Sequence, residues 1–567
     1  MILTLVGVKN FKSFKETSWI NLGNKFTLLY GNNSSGKSSI LQAIDILKSS
    51  FSSPGQGIKY EGTSGELNDF ICKFGDKKFI EIFFDVKIDQ ALGMGIGHIS
   101  NIGKALKFTH LRINFKIKLQ KDSAIADKIS FTGFKIGEMH KVFPLQHPVI
   151  DPGRDHFLFE ISHEGRLSKK DRKKFLLSPS SYTLEDSDNV ISKYSVSKIT
   201  EDEKIWRPWF ESTKSFKSKD IDSYWRYSSK KNKENFIGTL NKIRKSSNIH
   251  INNFGIFKRF LINDIKKNMF FFSSGIDFTL GGGGRYPGMV RRSTSRSSFF
   301  ETLDGIIMDQ RFRRRPYSSR ISGNFELPFL RFYSLPGRLL NFAMNSYVFR
   351  SIFYVHSSKS RFEDTYRMKQ GPFYTVGKDG ENTAFILMKK KHLLKSLNNI
   401  LQKSLRMNLK LNNTYFQGQK VTTFRANDMM GNKKLDTIKM ALAGKGFNSI
   451  IPYLTEILNH KNSMILLEEI ENSLHPRVIS PLLESLSSDK NNNRYIFETH
   501  SEPLVLKIQQ LVKNKKLKPD DVAINYVQRT KKGSNITYIP LDPNGNFEQP
   551  WPDGFFPEKT NIILNKD

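Results

Sequence analysis

The segment Gly31-Asn32-Asn33-Ser34-Ser35-Gly36-Lys37-Ser38-Ser39 constrains this chain more than any other feature. It matches G-x-x-x-x-G-K-[ST], the pattern of a loop that wraps phosphate. Its flanks are those the loop requires. The apolar run Phe26–Tyr30 before it reads as a buried strand, and Ile40, Leu41, Ile44 and Leu47 after it fall on one helical face. Gly31 and Gly36 permit a tight turn that aims successive backbone N–H groups inward, and the helix N-terminus adds partial positive charge. Lys37 is placed to reach the β- and γ-phosphates and the Ser38 hydroxyl to ligate Mg²⁺. The expectation is a site for ATP or GTP with Mg²⁺.

Charge is the second constraint. The 567 residues include 89 Lys plus Arg against 54 Asp plus Glu, a net of +35. A chain this basic is expected to meet a polyanion; the competing reading is a basic metabolic enzyme. The sequence holds no apolar run of about 18 residues, so no membrane span is expected. Met1-Ile-Leu-Thr-Leu-Val6 reads as a first strand and not as a signal peptide. Cys72 is the single cysteine, which excludes an internal disulfide and a cysteine-based zinc site. These features together predict a cytoplasmic protein.

Three regions follow from the patterning. Residues 1–120 read as a first lobe, with strand-like alternation over Lys78–Ile88 and Leu111–Leu119. Residues 121–345 form a basic insertion of mixed character, and 346–567 a second lobe that includes a long basic helix over Phe385–Leu405. Within 281–320 of the insertion lie nine arginines, among them Arg291, Arg292, Arg313, Arg314 and Arg315, interleaved with Phe299, Phe300, Phe312 and Tyr317. Arginine forks suit phosphates and aromatic faces stack on bases, so nucleic-acid binding is expected here. A solvated basic loop and a protein-binding surface are the alternatives.

The metal-side acid and the water-activating group have candidates at the end of the strand pattern Met464–Leu467. There Glu468 would hold Mg²⁺ through water and Glu469 would polarise the attacking water. Tyr495–Ser501 repeats the strand-then-polar-turn pattern and ends on His500, a candidate contact to the γ-phosphate or the water.

The order of phosphate loop, long insertion, LLEE…LHP and ETHS resembles the RecF/SMC/OLD branch of ABC-class ATPases. The opening VGVKNFKSFKE is similar to that family's first strand. The resemblance implies an α/β, ABC-type P-loop ATPase head split by a large, basic, mixed α+β insertion, with no long coiled coil. It makes Glu468 the Walker B acid, Glu469 the catalytic glutamate and His500 the switch histidine. Ile470 stands where the family usually has proline. Ala443–Pro452 is similar to the family's signature segment, so Gly444, Lys445, Gly446 and Asn448 would cap the γ-phosphate bound by an opposite subunit. That implies a homodimer or higher oligomer with ATP sandwiched between copies, and slow hydrolysis.

The ending, with Trp551-Pro-Asp-Gly-Phe-Phe556, resembles a subgroup that carries this segment beside the ATPase head. Its aromatic residues are expected to pack and not to catalyse. The subgroup is similar to the PtuA-type ATPases of Septu and retron anti-phage systems. This implies a regulator of a separately encoded HNH-type nuclease, in retrons with a reverse transcriptase and its DNA–RNA hybrid. No nuclease activity of its own is expected, because only 67 residues follow His500. The alternatives are a stand-alone RecF-like repair ATPase on gapped or single-stranded DNA, and a regulator whose insertion binds protein.

Overall fold

The phosphate-loop strand lies inside a six-stranded sheet. Its strands are β3 (Phe26–Tyr30), β9 (Ile352–Val355), β14 (Met464–Glu468), β15 (Arg494–Thr499), β16 (Val522–Thr530) and β17 (Gly533–Ile539), in the order β17-β16-β3-β15-β14-β9. This computed structural model describes residues 2–52, 67–73, 75, 79–87, 110–119, 124–134, 156–166, 192–199, 351–356, 362–367, 373–377, 380–416, 419–430, 433–471 and 474–551. The arginine cluster at 285–320 and the residues after Trp551 lie outside them.

Every pairing in the six-stranded sheet is parallel except that of β17 with β16. Parallel sheets are covered on both faces, so their strands read as continuous apolar runs. All five residues of β14 and four of the five in β3 are accordingly buried. Helix α1 (Lys37–Ser52) follows the loop and buries Ile40, Leu41 and Ile44, the face its periodicity predicts.

A second sheet is antiparallel throughout. It is built from β1 (Ile2–Lys9), β2 (Ser18–Asn21), β4 (Phe79–Lys87), β5 (His110–Leu119), β6 (Ala124–Phe134), β7 (His156–Arg166) and β8 (Ser192–Ile199), in the order β2-β1-β4-β5-β6-β7-β8. Alternation is plain in β4 and β5, where Ile80, Ile82, Phe84 and Val86 meet Leu111, Ile113, Phe115 and Ile117 on one buried face. The lobe boundary expected at residue 120 falls inside this sheet, because β6, β7 and β8 extend it to residue 199. Polar ties join this sheet to the first. Asn525 exchanges two 2.9 Å hydrogen bonds with the backbone of Asn21, and the half-buried Arg494 donates to the carbonyls of Leu3 (2.8 Å) and Gly23 (2.7 Å).

The third sheet comprises β10 (Thr365–Arg367), β11 (Met407–Phe416), β12 (Gln419–Met430) and β13 (Lys433–Lys439), all antiparallel to β12. The single helix expected over Phe385–Leu405 is two helices, α2 (Thr383–Lys389) and α3 (Lys391–Leu405). Lys390 breaks it with a non-helical φ/ψ of −113°/75° while its ammonium donates to Asn459 at 2.6 Å. Helices α4 (Lys445–Asn459), α5 (Pro476–Ser487) and α6 (Glu502–Lys513) complete the described core. Among the described residues no helix is long and apolar enough to cross a membrane.

Candidate active site

The loop between β3 and α1 is shaped by backbone conformations and close approaches that exclude side chains. Gly31 has φ +154°, and a Cβ there would lie 2.0 Å from the carbonyl oxygen of Val527 in β16. Gly36 has φ +109°, and its Cβ would lie 2.5 Å from Ser13 Oγ. Ser34 adopts the left-handed region at φ +59°. Ser534 of β17 holds the loop from behind by donating to the Ser35 carbonyl. Lys37 is buried and turns back on the loop, donating to the carbonyls of Gly31 (3.0 Å) and Asn32 (2.9 Å). Burial lowers its pKa against the pull of Glu498, Glu469 and Glu471.

Above the loop is a cavity of about 250 Å³ lined by Lys12, Ser13, Asn33, Ser34, Gly36, Lys37, Ser38, Ser39, Glu469, Glu498 and His500. Residues from three chain regions thus meet at the carboxyl ends of adjacent parallel strands, where open α/β sheets place their ligands. Gly31, Asn32 and Ser35 shape the loop without lining that cavity.

The acids are arranged by strand register. Glu468 in β14 pairs with Glu498 in β15, and Glu498 pairs in turn with Leu29 in β3. Glu498, which the sequence reading passed over, therefore sits on the strand next to the phosphate-loop strand. Its Oε1 accepts a 2.6 Å hydrogen bond from Ser38 Oγ, and its Oε2 is buried with no partner. Burial pushes the Glu498 carboxyl up to about 7; Ser38 and Lys37 oppose the shift, and Glu468 and Glu469 add to it.

Glu468 is one strand further out. Tyr354 donates to its Oε1, His356 Nδ1 lies 3.5 Å from its Oε2, and its backbone carbonyl accepts from Tyr453 at 2.7 Å. It is not among the residues lining the cavity. Its carboxylate is turned to Tyr354 and His356 on the side of β9.

Glu469 does line the cavity. It leaves β14 in the left-handed region at φ +44°, and its N–H donates to the Glu498 carbonyl at 2.9 Å. A non-glycine residue held there carries strain of the kind found at functional sites. Ile470, in the position of the usual proline, is buried in the core. His500 Nε2 is 3.9 Å from Glu469 Oε1. The backbone N–H of His500 (3.0 Å) and the Thr499 hydroxyl (2.5 Å) both donate to Glu471 Oε1, a half-buried acid that the sequence reading did not single out. Burial, helped by Lys37, lowers the His500 pKa to about 4, so the imidazole is neutral at pH 7.

The signature-like segment does not join this cavity: Gly444, Lys445, Gly446 and Asn448 are absent from its lining. Gly444 precedes α4 with φ +84°, and a Cβ there would meet nothing within 4 Å. Asn448 is turned to the carbonyl of Met440 at 2.8 Å.

The oxygens around Ser38 suit Mg²⁺, a hard cation usually held by one or two carboxylates plus substrate phosphates. Glu498 offers a buried, unpartnered Oε2 there. Among the described residues no three His, Cys, Asp or Glu converge into a self-sufficient metal cage.

Three family models match. One described as "AAA ATPase domain" covers residues 1–274, and one described as "AAA domain, putative AbiEii toxin, Type IV TA system" covers 164–507. The third, "Protein of unknown function (DUF3696)", covers 517–564, the ending that contains Trp551. No curated protein matches the sequence. Solved structures with some likeness include the Smc head domain with an extended coiled coil bound to the C-terminal domain of ScpA, derived from Pyrococcus furiosus. It is 12% identical with TM-score 0.34, covering 100% of this chain and 98% of that one. The SMC head domain from Thermotoga maritima is 10% identical with TM-score 0.33, covering 96% of this chain and 100% of that one. Likenesses this low say nothing about function.

Proposed function

The chain belongs to the family "AAA domain, putative AbiEii toxin, Type IV TA system", and from that premise we propose that it is an ABC-class ATPase whose dimer is closed by ATP and released by hydrolysis. The observation that carries this reading is the convergence of Lys37, Ser38, Glu469, Glu498 and His500 on one cavity.

Backbone N–H groups of residues 31–39 and the Lys37 ammonium bind the phosphates of ATP. Mg²⁺ held beside Ser38 supplies charge neutralisation on the β- and γ-phosphates. Glu469 orients a water for attack on the γ-phosphorus and accepts its proton as the bond to ADP breaks. Neutral His500 offers a hydrogen bond to the γ-phosphate or to that water, and its 3.9 Å approach to Glu469 keeps the two groups together. Closure comes from a second copy. Gly444, with open space where a Cβ would be, begins the helix that brings Lys445, Gly446 and Asn448 to the γ-phosphate of its partner. That these residues stand outside their own subunit's cavity favours this division of labour.

At the biological level we assign the protein to anti-phage defence, as an ATP-gated regulator of a separately encoded HNH-type nuclease. The toxin–antitoxin label of the family supports a defence setting. The net charge of +35 supports nucleic-acid binding, assigned to the basic segment that includes Arg291, Arg292, Arg313, Arg314 and Arg315. A retron reverse transcriptase with its DNA–RNA hybrid fits the same charge. The test is capture of the tagged protein from its native locus, with bound proteins and nucleic acids identified. A co-purifying nuclease is the expected result. A bare protein that binds gapped DNA when ATP is added would replace this reading with a repair ATPase.

A further inference from the structure

We propose that Glu471 is a positioning residue for ATP hydrolysis, whose carboxylate clamps the turn carrying His500 to the turn carrying Glu469. The inference rests on the ATP reading above and goes beyond it by naming what fixes those two groups against each other. Glu469, Ile470 and Glu471 follow one another out of β14, while Thr499 ends β15, His500 follows it and Ser501 caps α6. Glu471 Oε1 bridges the two turns. It accepts from the Thr499 hydroxyl at 2.5 Å and from the His500 backbone N–H at 3.0 Å. The Thr499 hydroxyl oxygen accepts in turn from the Ser501 N–H at 3.0 Å. One carboxylate oxygen therefore ties down the backbone on which the imidazole is mounted. The other turn is fixed independently: Ile470 is buried in the core, and the Glu469 N–H donates to the Glu498 carbonyl at 2.9 Å. The outcome of the clamp is the 3.9 Å separation of His500 Nε2 and Glu469 Oε1.

Glu471 does not line the cavity, so it acts through His500 and not on the nucleotide. Its Oε2 is a buried atom with no hydrogen-bond partner among the described residues. Withdrawing a carboxylate from water in this way is costly, and packing alone does not require one. What the carboxylate supplies is a pair of charge-assisted hydrogen bonds to one short turn, stronger than those a neutral acceptor would make. Displacing a reacting or hydrogen-bonding group by about 1 Å costs roughly a hundredfold in rate, so a clamp at this point acts on turnover more than on binding.

The test uses the full chain with radiolabelled ATP and Mg²⁺, followed in single-turnover reactions long enough to read very slow rates, and a fluorescent ATP analogue to measure affinity. Glu471→Ala removes both hydrogen bonds and is expected to slow turnover by about tenfold to a hundredfold while analogue affinity stays within about threefold of wild type. Retained affinity also shows that the variant is folded. Glu471→Gln keeps an oxygen for Thr499 and His500 and is expected to recover most of the rate. The decisive readout is a double-mutant cycle with His500→Asn. If Glu471 acts through His500, adding Glu471→Ala to His500→Asn should slow turnover no further. The proposal is overturned if Glu471→Ala turns over like wild type, if the two losses multiply in the double variant, if Glu471→Gln recovers nothing, or if the analogue affinity of Glu471→Ala collapses along with its rate. A wild type that binds no ATP analogue, or binds it without hydrolysing ATP, would instead overturn the ATPase reading itself.

Discussion

Replacing Trp551 by Ala should unlatch the strand that feeds the phosphate loop. Trp551 is 6% exposed and meets three rings edge-on: Tyr30 at 5.2 Å, Tyr526 at 5.3 Å and Phe547 at 5.3 Å. Tyr30 is the last residue of β3, and Gly31 follows it. A Trp ring buries about 150–250 Å², which at about 25 cal/mol/Å² is worth about 4–6 kcal/mol. Trp→Ala changes that leave a cavity cost about 3–5 kcal/mol. For a folded unit of some 250 residues each kcal/mol lowers Tm by about 2 °C, so the drop should be about 6–10 °C. Trp551→Phe keeps an edge-on ring and should lose less than half as much. Thermal melts of the three proteins measure this, and nucleotide titrations should show weaker binding in the Ala variant because Tyr30 loses its support. A Trp551→Ala protein that melts within 2 °C of wild type would refute the packing argument and leave the aromatic ending with some other task.

Two further outcomes follow from the site. Gly31→Ala places a Cβ 2.0 Å from the Val527 carbonyl oxygen at a backbone φ of +154°. Backbone strain and overlap together should cost roughly 2–6 kcal/mol, read as a lower melting temperature and lost nucleotide binding; unchanged values would mean that the loop does not press on β16. The second outcome concerns pH. The His500 pKa is about 4, against 6.5 in an unfolded chain. Between those values the unfolded state binds more protons, so stability is present above pH 6.5 and falls as pH drops towards 4. His500→Asn should flatten that limb in melts run from pH 7 to pH 4.5, and an unchanged slope would assign the acid sensitivity to other groups.

Local features were legible in the sequence. The glycines, Lys37 and Ser38 stand in one contiguous run, and the apolar flanks state which element lies on each side. Glu468 and Glu469 were recognisable as strand-end acids because four apolar residues precede them. Which acid reaches Ser38 was not legible, since that depends on β15 lying between β14 and β3, a pairing of segments more than 400 residues apart. The only local hint was an acid placed just before Thr499-His500 at the end of an apolar strand. The break at Lys390 was hidden because both helices share a continuous apolar pattern, and a side-chain bond to Asn459 settles it. Strands β6 to β8 escaped notice because long connections separate them.

ATP closure of two copies is tested most directly by the mass of Glu469→Gln in solution, measured by light scattering with and without ATP and Mg²⁺. Removing the water-activating carboxylate while keeping the shape of the cavity should stop hydrolysis and hold the closed form. The expected result is twice the subunit mass with ATP and Mg²⁺, a single subunit mass without nucleotide, and no ATP turnover. A variant that stays at one mass under saturating ATP, or that hydrolyses ATP at the wild-type rate, would contradict it.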